Sequence, residues 1–201
     1  MLKDMHQIQI KFKNLFKNLF KNPNYALNIA SNIGDINNVK LLLDIGVHAN
    51  NESLAYACYS GHYEIAKLLI DNGAKANDSI ALHSACQSGH LNIVQLLLTY
   101  GAKVNESSLS FACCNGNFEI IKLLLSNCNC NCNIALNVAC QKGYLEIVKL
   151  LIVHGEIEIE NLIECLNLAN RLNHTHIAEY IKGILIFSTN NSRVIGFFAN
   201  I

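Results

Sequence analysis

The residues of this chain best suited to chemistry are its nine cysteines and eight histidines. Their spacing limits what they can do. Cys58, Cys86, Cys113 and Cys140 each follow an alanine and recur at steps of 28, 27 and 27 residues. Thiols one step apart in stacked helical units sit about 10 Å from each other. Zinc–sulfur bonds are only about 2.3 Å long. That excludes a shared metal and leaves four small hydrophobes for a core. Cys128-Asn129-Cys130-Asn131-Cys132 is different. Three thiols at alternate positions in a loop could chelate a soft metal or close a disulfide. Structural zinc sites instead use paired CxxC motifs, and only Cys114 and His154 are candidates to complete a set. Cys128, Cys130 and Cys132 are therefore weak metal or redox candidates, set against a tolerated substitution in a reduced chain. His62 and His90 each follow a glycine, and a structural use is expected for them. His174 and His176 are two apart, which turns them to different faces of a helix. No nucleophile stands beside a base, and no phosphate loop, serine elbow or metalloprotease motif is present. Neither an enzyme nor a cofactor is expected.

The elements that carry these residues repeat. Gly34, Gly61, Gly89, Gly116 and Gly143 are spaced by 27, 28, 27 and 27 residues. Self-similarity at a fixed period of this size predicts a solenoid. The best-preserved copy is Ala81–Asn105, read as helix, tight turn, helix, glycine stop. Leu82, Ala85 and Cys86 line one side of its first helix, and Gly89 ends it in a turn that a side chain would strain. His90 opens the second helix, whose buried stripe is expected to be Leu91, Val94, Leu97 and Leu98, with Gly101 as its stop. The other full units are Tyr25–Asn50, Ser53–Asn77, Ser108–Cys132 and Ile134–Glu160. In the fourth unit Cys128 replaces the glycine stop, and slight strain is expected there. A weaker sixth unit, CLNLANRLNHTHIAEYIKG, places Asn173 where the turn glycine belongs. Asparagine tolerates the left-handed conformation, so this unit reads as a closing repeat. Isolated helices below about 12–15 residues are marginal, so the units must stabilise one another by stacking.

Composition agrees with a soluble, folded chain long enough for a substantial core. The 201 residues are 51% hydrophobic and carry no net charge, which removes the global signature of nucleic-acid binding. No run reaches the roughly 18 apolar residues of a spanning helix, and the N-terminus lacks a signal peptide's apolar core. An odd cysteine count with four core positions points to a reducing compartment, the cytoplasm or the nucleus. Residues 1–22 form a basic amphipathic stretch with Phe12, Leu15, Phe16, Leu19 and Phe20 at helical spacing among Lys11, Lys13, Lys17 and Lys21. It reads as a cap over the first repeat; the other reading is a helix lying on an anionic membrane, which would make the chain a membrane-surface adaptor. The solenoid is assigned to residues 23–183. The apolar tail 184–201 has three readings: a hairpin of ILIF and RVIGFF around STNNS, a hydrophobic plug, or a docking segment.

GHYEIAKLLIDNGAKAN, GHLNIVQLLLTYGAKVN and GYLEIVKLLIVHG resemble the second half of the ankyrin repeat, and SIALHSACQSGH resembles its TPLHxAAxxGH first half. Ankyrin repeats run to about 33 residues. The residues missing here fall between the terminal Asn and the first helix, where the family forms a projecting β-hairpin finger. The resemblance thus implies an all-α ankyrin-type helical solenoid with shortened β-hairpin loops. Short, Asn- and Ile-rich repeats of this kind resemble ankyrin proteins of giant DNA viruses, mimivirus-like. The family's use implies a protein–protein interaction scaffold binding through its concave face, to a host factor in the host cytoplasm if the source is viral. A protein partner, no nucleic acid and a monomer are expected. By matching the two residues before each turn glycine, the binding positions are Asn32 and Ile33, Tyr59 and Ser60, Gln87 and Ser88, Cys114 and Asn115, Gln141 and Lys142. Loop residues Asn51, Glu52, Asp78, Ser79, Glu106 and Ser107 adjoin them. Tyr59 is the expected anchor, because exposed aromatics are typical hot spots. His83 stands at the histidine with which the family organises inter-repeat hydrogen bonds; Asn28, Ala55, Ser110 and Asn137 replace it elsewhere.

Overall fold

The computed structural model describes residues 22–128, 130–155 and 157–190, and every regular element in them is a helix. The chain divides into two units, Met1–Lys103 and Val104–Ile201. The first holds α1 (Pro23–Ile33), α2 (Ile36–Asp44), α3 (Asn51–Ser60), α4 (Tyr63–Asp71), α5 (Ser79–Ser88) and α6 (Leu91–Thr99). The second holds α7 (Glu106–Asn115), α8 (Phe118–Leu125), α9 (Asn133–Lys142), α10 (Leu145–His154), α11 (Ile159–Arg171) and α12 (Thr175–Asn190). The proposed N-terminal cap, residues 1–22, lies outside the described residues except for Asn22.

The first four odd-numbered helices begin where a short polar side chain satisfies the first turn. Asn22 accepts from the Tyr25 amide, and Pro23 sits at the first position of α1, where a missing N–H costs nothing. Asn50 Oδ1 accepts from the Ser53 amide at 2.8 Å, and Ser53 Oγ accepts from the Asn50 amide at 3.4 Å. Asn105 and Ser108 repeat this box at α7. The one 28-residue step inserts its extra residue after Asn77, and Asp78 takes over the cap of α5 by accepting from the Ile80 amide. At α9 the cap position is Cys132, which makes no such bond.

The even-numbered helices follow a left-handed glycine, or at α12 the left-handed Asn173, and the next residue does one of two things. Where it is Asp35 or Asn117, it caps its own helix. Where it is His62, His90, Tyr144 or His174, its ring reaches back over the turn glycine of the preceding repeat. A Cβ on Gly61 would lie 2.5 Å from His90 Cε1, so this glycine is required by the ring above it as well as by its φ of +81°. Three of the rings also bond a carbonyl of the preceding repeat. His62 Nε2 meets Asn32 O at 3.1 Å, His90 Nε2 meets Tyr59 O at 3.2 Å, and His174 Nε2 meets Gln141 O at 3.2 Å.

Within the first unit, α3 packs between α1 and α5, and α4 between α2 and α6. Within the second, α9 packs between α7 and α11, and α10 between α8 and α12. The core runs between the two layers. Leu27, Leu54 and Leu82 recur at one register on α1, α3 and α5, all fully buried, as do Leu109 and Leu136 on α7 and α9. Each such side chain contributes about 1.5–3 kcal/mol of burial, which no single helix of this length could supply alone.

Three expectations need correction. The stripe of α6 is Ile93, Val94, Leu96 and Leu97, while Leu91 and Leu98 are half-buried. A second-layer helix is covered on a wider arc than one stripe. Cys128 is not strained: Asn173, at φ +60°, is the only non-glycine with positive φ among the described residues. Instead α8 stops at Leu125, and the turn takes another path. Nor is Gly183 the end of the helical part. The helix α12 runs on through Ile184–Phe187 to Asn190 and buries Ile184. ILIF is therefore not a hairpin arm, and RVIGFF lies outside the described residues.

Candidate functional site

The first unit carries a groove on the outward face of α1, α3 and α5. Its volume is about 830 Å3, and its walls are Asn32, Asn51, Glu52, Ala55, Tyr56, Tyr59, Ile80 and Ser84. Local folding places each of them. Tyr56 and Tyr59 are three apart on α3 and share a face, while Leu54, Ala57 and Cys58 on the same helix are buried. Ile80 and Ser84 are four apart on α5 and face the same way. Asn32 comes from the last turn of α1, and Asn51 and Glu52 from the first turn of α3. Tyr59 is 53% exposed and Ile80 58%.

Polar bonds between repeats fix the groove's edges. Asn28, buried on α1, donates Nδ2–H to Glu52 Oε2 at 2.8 Å. Asn51 donates to Asp78 Oδ2 at 2.8 Å and accepts from the Lys75 amide at 3.0 Å. Ser60 donates to Asn32 Oδ1 at 2.8 Å. The backbone carbonyl of Tyr59 is held by His90. In the second unit Cys165 Sγ donates to Asn137 Oδ1 at 2.9 Å. Asn28 and Asn137 thus bridge repeats at the register where His83 stands in the third.

Of the matched binding positions, the structure brings Asn32 and Tyr59 into this groove, and the adjoining Asn51 and Glu52 with them. Ser60 braces Asn32 from behind. Gln87 is exposed and Ser88 half-buried at the end of α5. Cys114, Asn115, Gln141 and Lys142 are exposed on α7 and α9 of the second unit. Tyr56, Ile80 and Ser84 were missed by motif matching. For two of them the signal was there: Tyr56 is three residues from Tyr59 on α3, and Ile80 is a large apolar residue on the side of α5 away from the core.

The thiols divide as their positions require. Cys58, Cys86 and Cys113 are fully buried, and desolvation pushes each up to about 12. Cys140, hydrogen-bonded to Cys165 and buried, is also held above the ordinary thiol range. Cys128 and Cys130 are joined as a disulfide. Cys132 is buried and donates to Cys130 O at 3.5 Å. His154 bonds Leu150 O within its own helix, and Cys114 is exposed on α7. Among the described residues, no three His, Cys, Asp or Glu side chains are grouped to hold a metal.

Stacked helix pairs, left-handed glycine turns and a polar-rimmed outward face define a helical-repeat scaffold. The family model for ankyrin repeats matches residues 5–80, 27–108, 82–163 and 109–189, and the chain belongs to that family. It is similar to the crystal structure of the human ASB11 ankyrin repeat domain, with 29% identity, a TM-score of 0.67, and coverage of 78% of this chain and 82% of that one. No curated protein sequence matches the chain. Ankyrin repeats generally mediate protein–protein interaction and are typically non-catalytic scaffolds. No helix among the described residues is long and apolar enough to cross a membrane.

Proposed function

We propose that the chain is a non-catalytic scaffold that binds a partner protein through the outward face of α1, α3 and α5, with Tyr59 and Tyr56 as anchors. The observation that carries this reading is the groove of about 830 Å3 between exposed aromatic and aliphatic side chains whose backbone is held by inter-repeat bonds. Exposed tyrosines on a rigid helix lose little rotamer freedom on binding, which is why such residues dominate interface energies. Within the first unit, Gln87 and Ser88 at the end of α5 would extend the contact with polar groups that fix register; the other matched positions, Cys114, Asn115, Gln141 and Lys142, belong to the second unit.

The test is site-specific photo-crosslinking in cells. A photoreactive phenylalanine analogue is placed at Tyr59 or, as a control, at exposed Lys67 on α4. The reading expects a discrete adduct from Tyr59 that Lys67 does not give, and its loss when Tyr56→Ala is added in a chain of unchanged Tm. Equal labelling from both sites would overturn it.

A further inference from the structure

The chemistry of the groove narrows its occupant. Of the eight residues that line it, Glu52 is the one with a formal charge, and none is Lys, Arg or His. Nine residues before the turn glycine, the five full units carry Tyr25, Glu52, Ile80, Ser107 and Ile134, so a carboxylate stands here once, where three of the others are large and apolar. An acidic residue in a helix's first turn has a plain structural use, favouring the N-terminal end of the helix dipole. That use explains Glu64, Glu106 and Glu119 equally well. It does not explain why Glu52 in particular faces two tyrosines.

The carboxylate is also positioned. Its Oε2 is held by Asn28, a buried side chain, at 2.8 Å. The bond fixes one oxygen at the groove's edge and leaves the lone pairs of Oε1 to meet a ligand. A second carboxylate borders the same edge, since Asn51, which lines the groove, donates to Asp78. Lys75 meets Asn51 through its backbone amide, so that bond brings no positive charge. Two tyrosine rings beside a fixed carboxylate suit a planar cation, which can stack on the rings and pair with the carboxylate through parallel N–H donors. The volume lies within the range of ligand pockets, roughly 300–1,000 Å3, and exceeds one side chain, leaving room for the flanking apolar residues of a peptide. An acidic or phosphorylated segment would meet like charge from Glu52 and Asp78.

We propose that this groove takes an arginine side chain from an extended segment of the partner protein, its guanidinium between Tyr56, Tyr59 and Glu52. The proposal rests on the protein-binding reading above and adds the chemistry of what is bound.

The experiment uses the full 15N-labelled chain and two acetylated, amidated pentapeptides. One has a central arginine between leucine and alanine on each side; the other has citrulline, the neutral isostere, in its place. The arginine peptide should shift the amide resonances of Glu52, Tyr56 and Tyr59, and bind about tenfold more tightly than the citrulline peptide, the factor that 1.4 kcal/mol sets. The variant Glu52→Gln retains an oxygen for Asn28 and removes the charge. It should bring the arginine peptide down to the citrulline level without changing Tm. Equal binding of the two peptides, or unaltered binding by Glu52→Gln, would overturn the proposal. If neither peptide shifts these resonances while Tyr59 still crosslinks a partner, the arginine inference falls and the protein-binding reading stands.

Discussion

The outward faces of the two units are built on one frame and decorated differently. Two, five and nine residues before the turn glycine, the first unit carries Asn32, Ile29 and Tyr25, then Tyr59, Tyr56 and Glu52, then Gln87, Ser84 and Ile80. The second unit carries Cys114, Phe111 and Ser107, then Gln141, Val138 and Ile134. Between these positions the core residues barely change: Leu54, Ala57 and Cys58 correspond to Leu109, Ala112 and Cys113, all buried. Phe111 and Val138 are half-buried where Tyr56 is exposed. The frame demands small and aliphatic residues inward, and it leaves the outward positions free. In the first unit these outward positions include aromatic rings and a charge, the chemistry on which the proposed recognition rests.

The thiols give the widest contrast between the units. In the first unit the only cysteines are Cys58 and Cys86, fully buried and raised to about 12. At pH 8 only about one in ten thousand of such thiols is ionised, and the thiolate is the reactive form. In the second unit Cys114 is exposed. Iodoacetamide applied to the native chain without reductant should label Cys114 at least a hundredfold faster than Cys58 or Cys86, read by peptide mass spectrometry. Labelling of Cys58 in the folded chain would mean that the first unit opens far more readily than its packing implies.

Glycine substitutions sharpen the frame itself. Gly61→Ala forces a left-handed alanine and drives its Cβ into His90, whose bond to Tyr59 O must then break. We expect a loss of about 2–4 kcal/mol by chemical denaturation, from backbone strain plus the lost bond. Gly101→Ala has the same handedness, at φ +86°, but nothing within 4 Å of the added atom. It should cost only the strain, about 1–2 kcal/mol. Gly143→Ala in the second unit meets His174 and should resemble Gly61→Ala. Equal losses at Gly61 and Gly101 would show that the ring-over-glycine contact contributes nothing.

These comparisons mark what could be read from the chain alone. The repeat frame was legible because glycine spacing and buried leucines answer to local rules: a left-handed turn and a buried helix face. Asn173 could even be assigned as a glycine substitute, and it takes φ +60°. The groove was legible in part. Motif matching reached Asn32 and Tyr59, which stand beside the turn, but it passed over Tyr56, Ile80 and Ser84. Their role depends on which helix faces which across repeats, and a motif defined within one repeat does not encode that. The dual use of the residue after the glycine was hidden for the same reason. His62 and His90 look like helix starters, yet their rings serve the preceding repeat. Of the three readings of the tail, the hairpin is the one that fails at Ile184–Phe187, because an apolar run fits a strand and a buried helix equally well.

Helix caps test whether the two units share their starts as they share their cores. Asn50→Ala and Asn105→Ala each break a capping box and should each cost about 1 kcal/mol, or about 2–4 °C in Tm for a chain of this length. Cys132→Ala removes no cap bond, so its cost should come from the volume it leaves in the core and the weak Sγ–H bond to Cys130 O. A larger drop for Asn105 than for Asn50 would show that the second unit leans more on its caps.

The smallest expected effect separates two phenols by cause. Tyr100 in the first unit donates to Asp71 Oδ1 at 2.9 Å, and this bond, with the nearby carboxylate charge, raises its pKa above 10. Tyr180 in the second unit is raised chiefly by burial. A raised phenol favours the folded state fully at neutral pH, and that contribution is lost as pH climbs through the raised value. Tyr100 is solvent-exposed, so Tyr100→Phe should leave Tm unchanged at pH 7 within error. In a titration followed by phenolate absorbance, it should remove one late step and leave the one due to Tyr180. Asp71→Asn should move the Tyr100 step earlier, because it removes the charge that opposes ionisation, and again spare Tyr180. If Asp71→Asn leaves the late steps of the titration where they were, the bond to Asp71 is not what holds the Tyr100 proton.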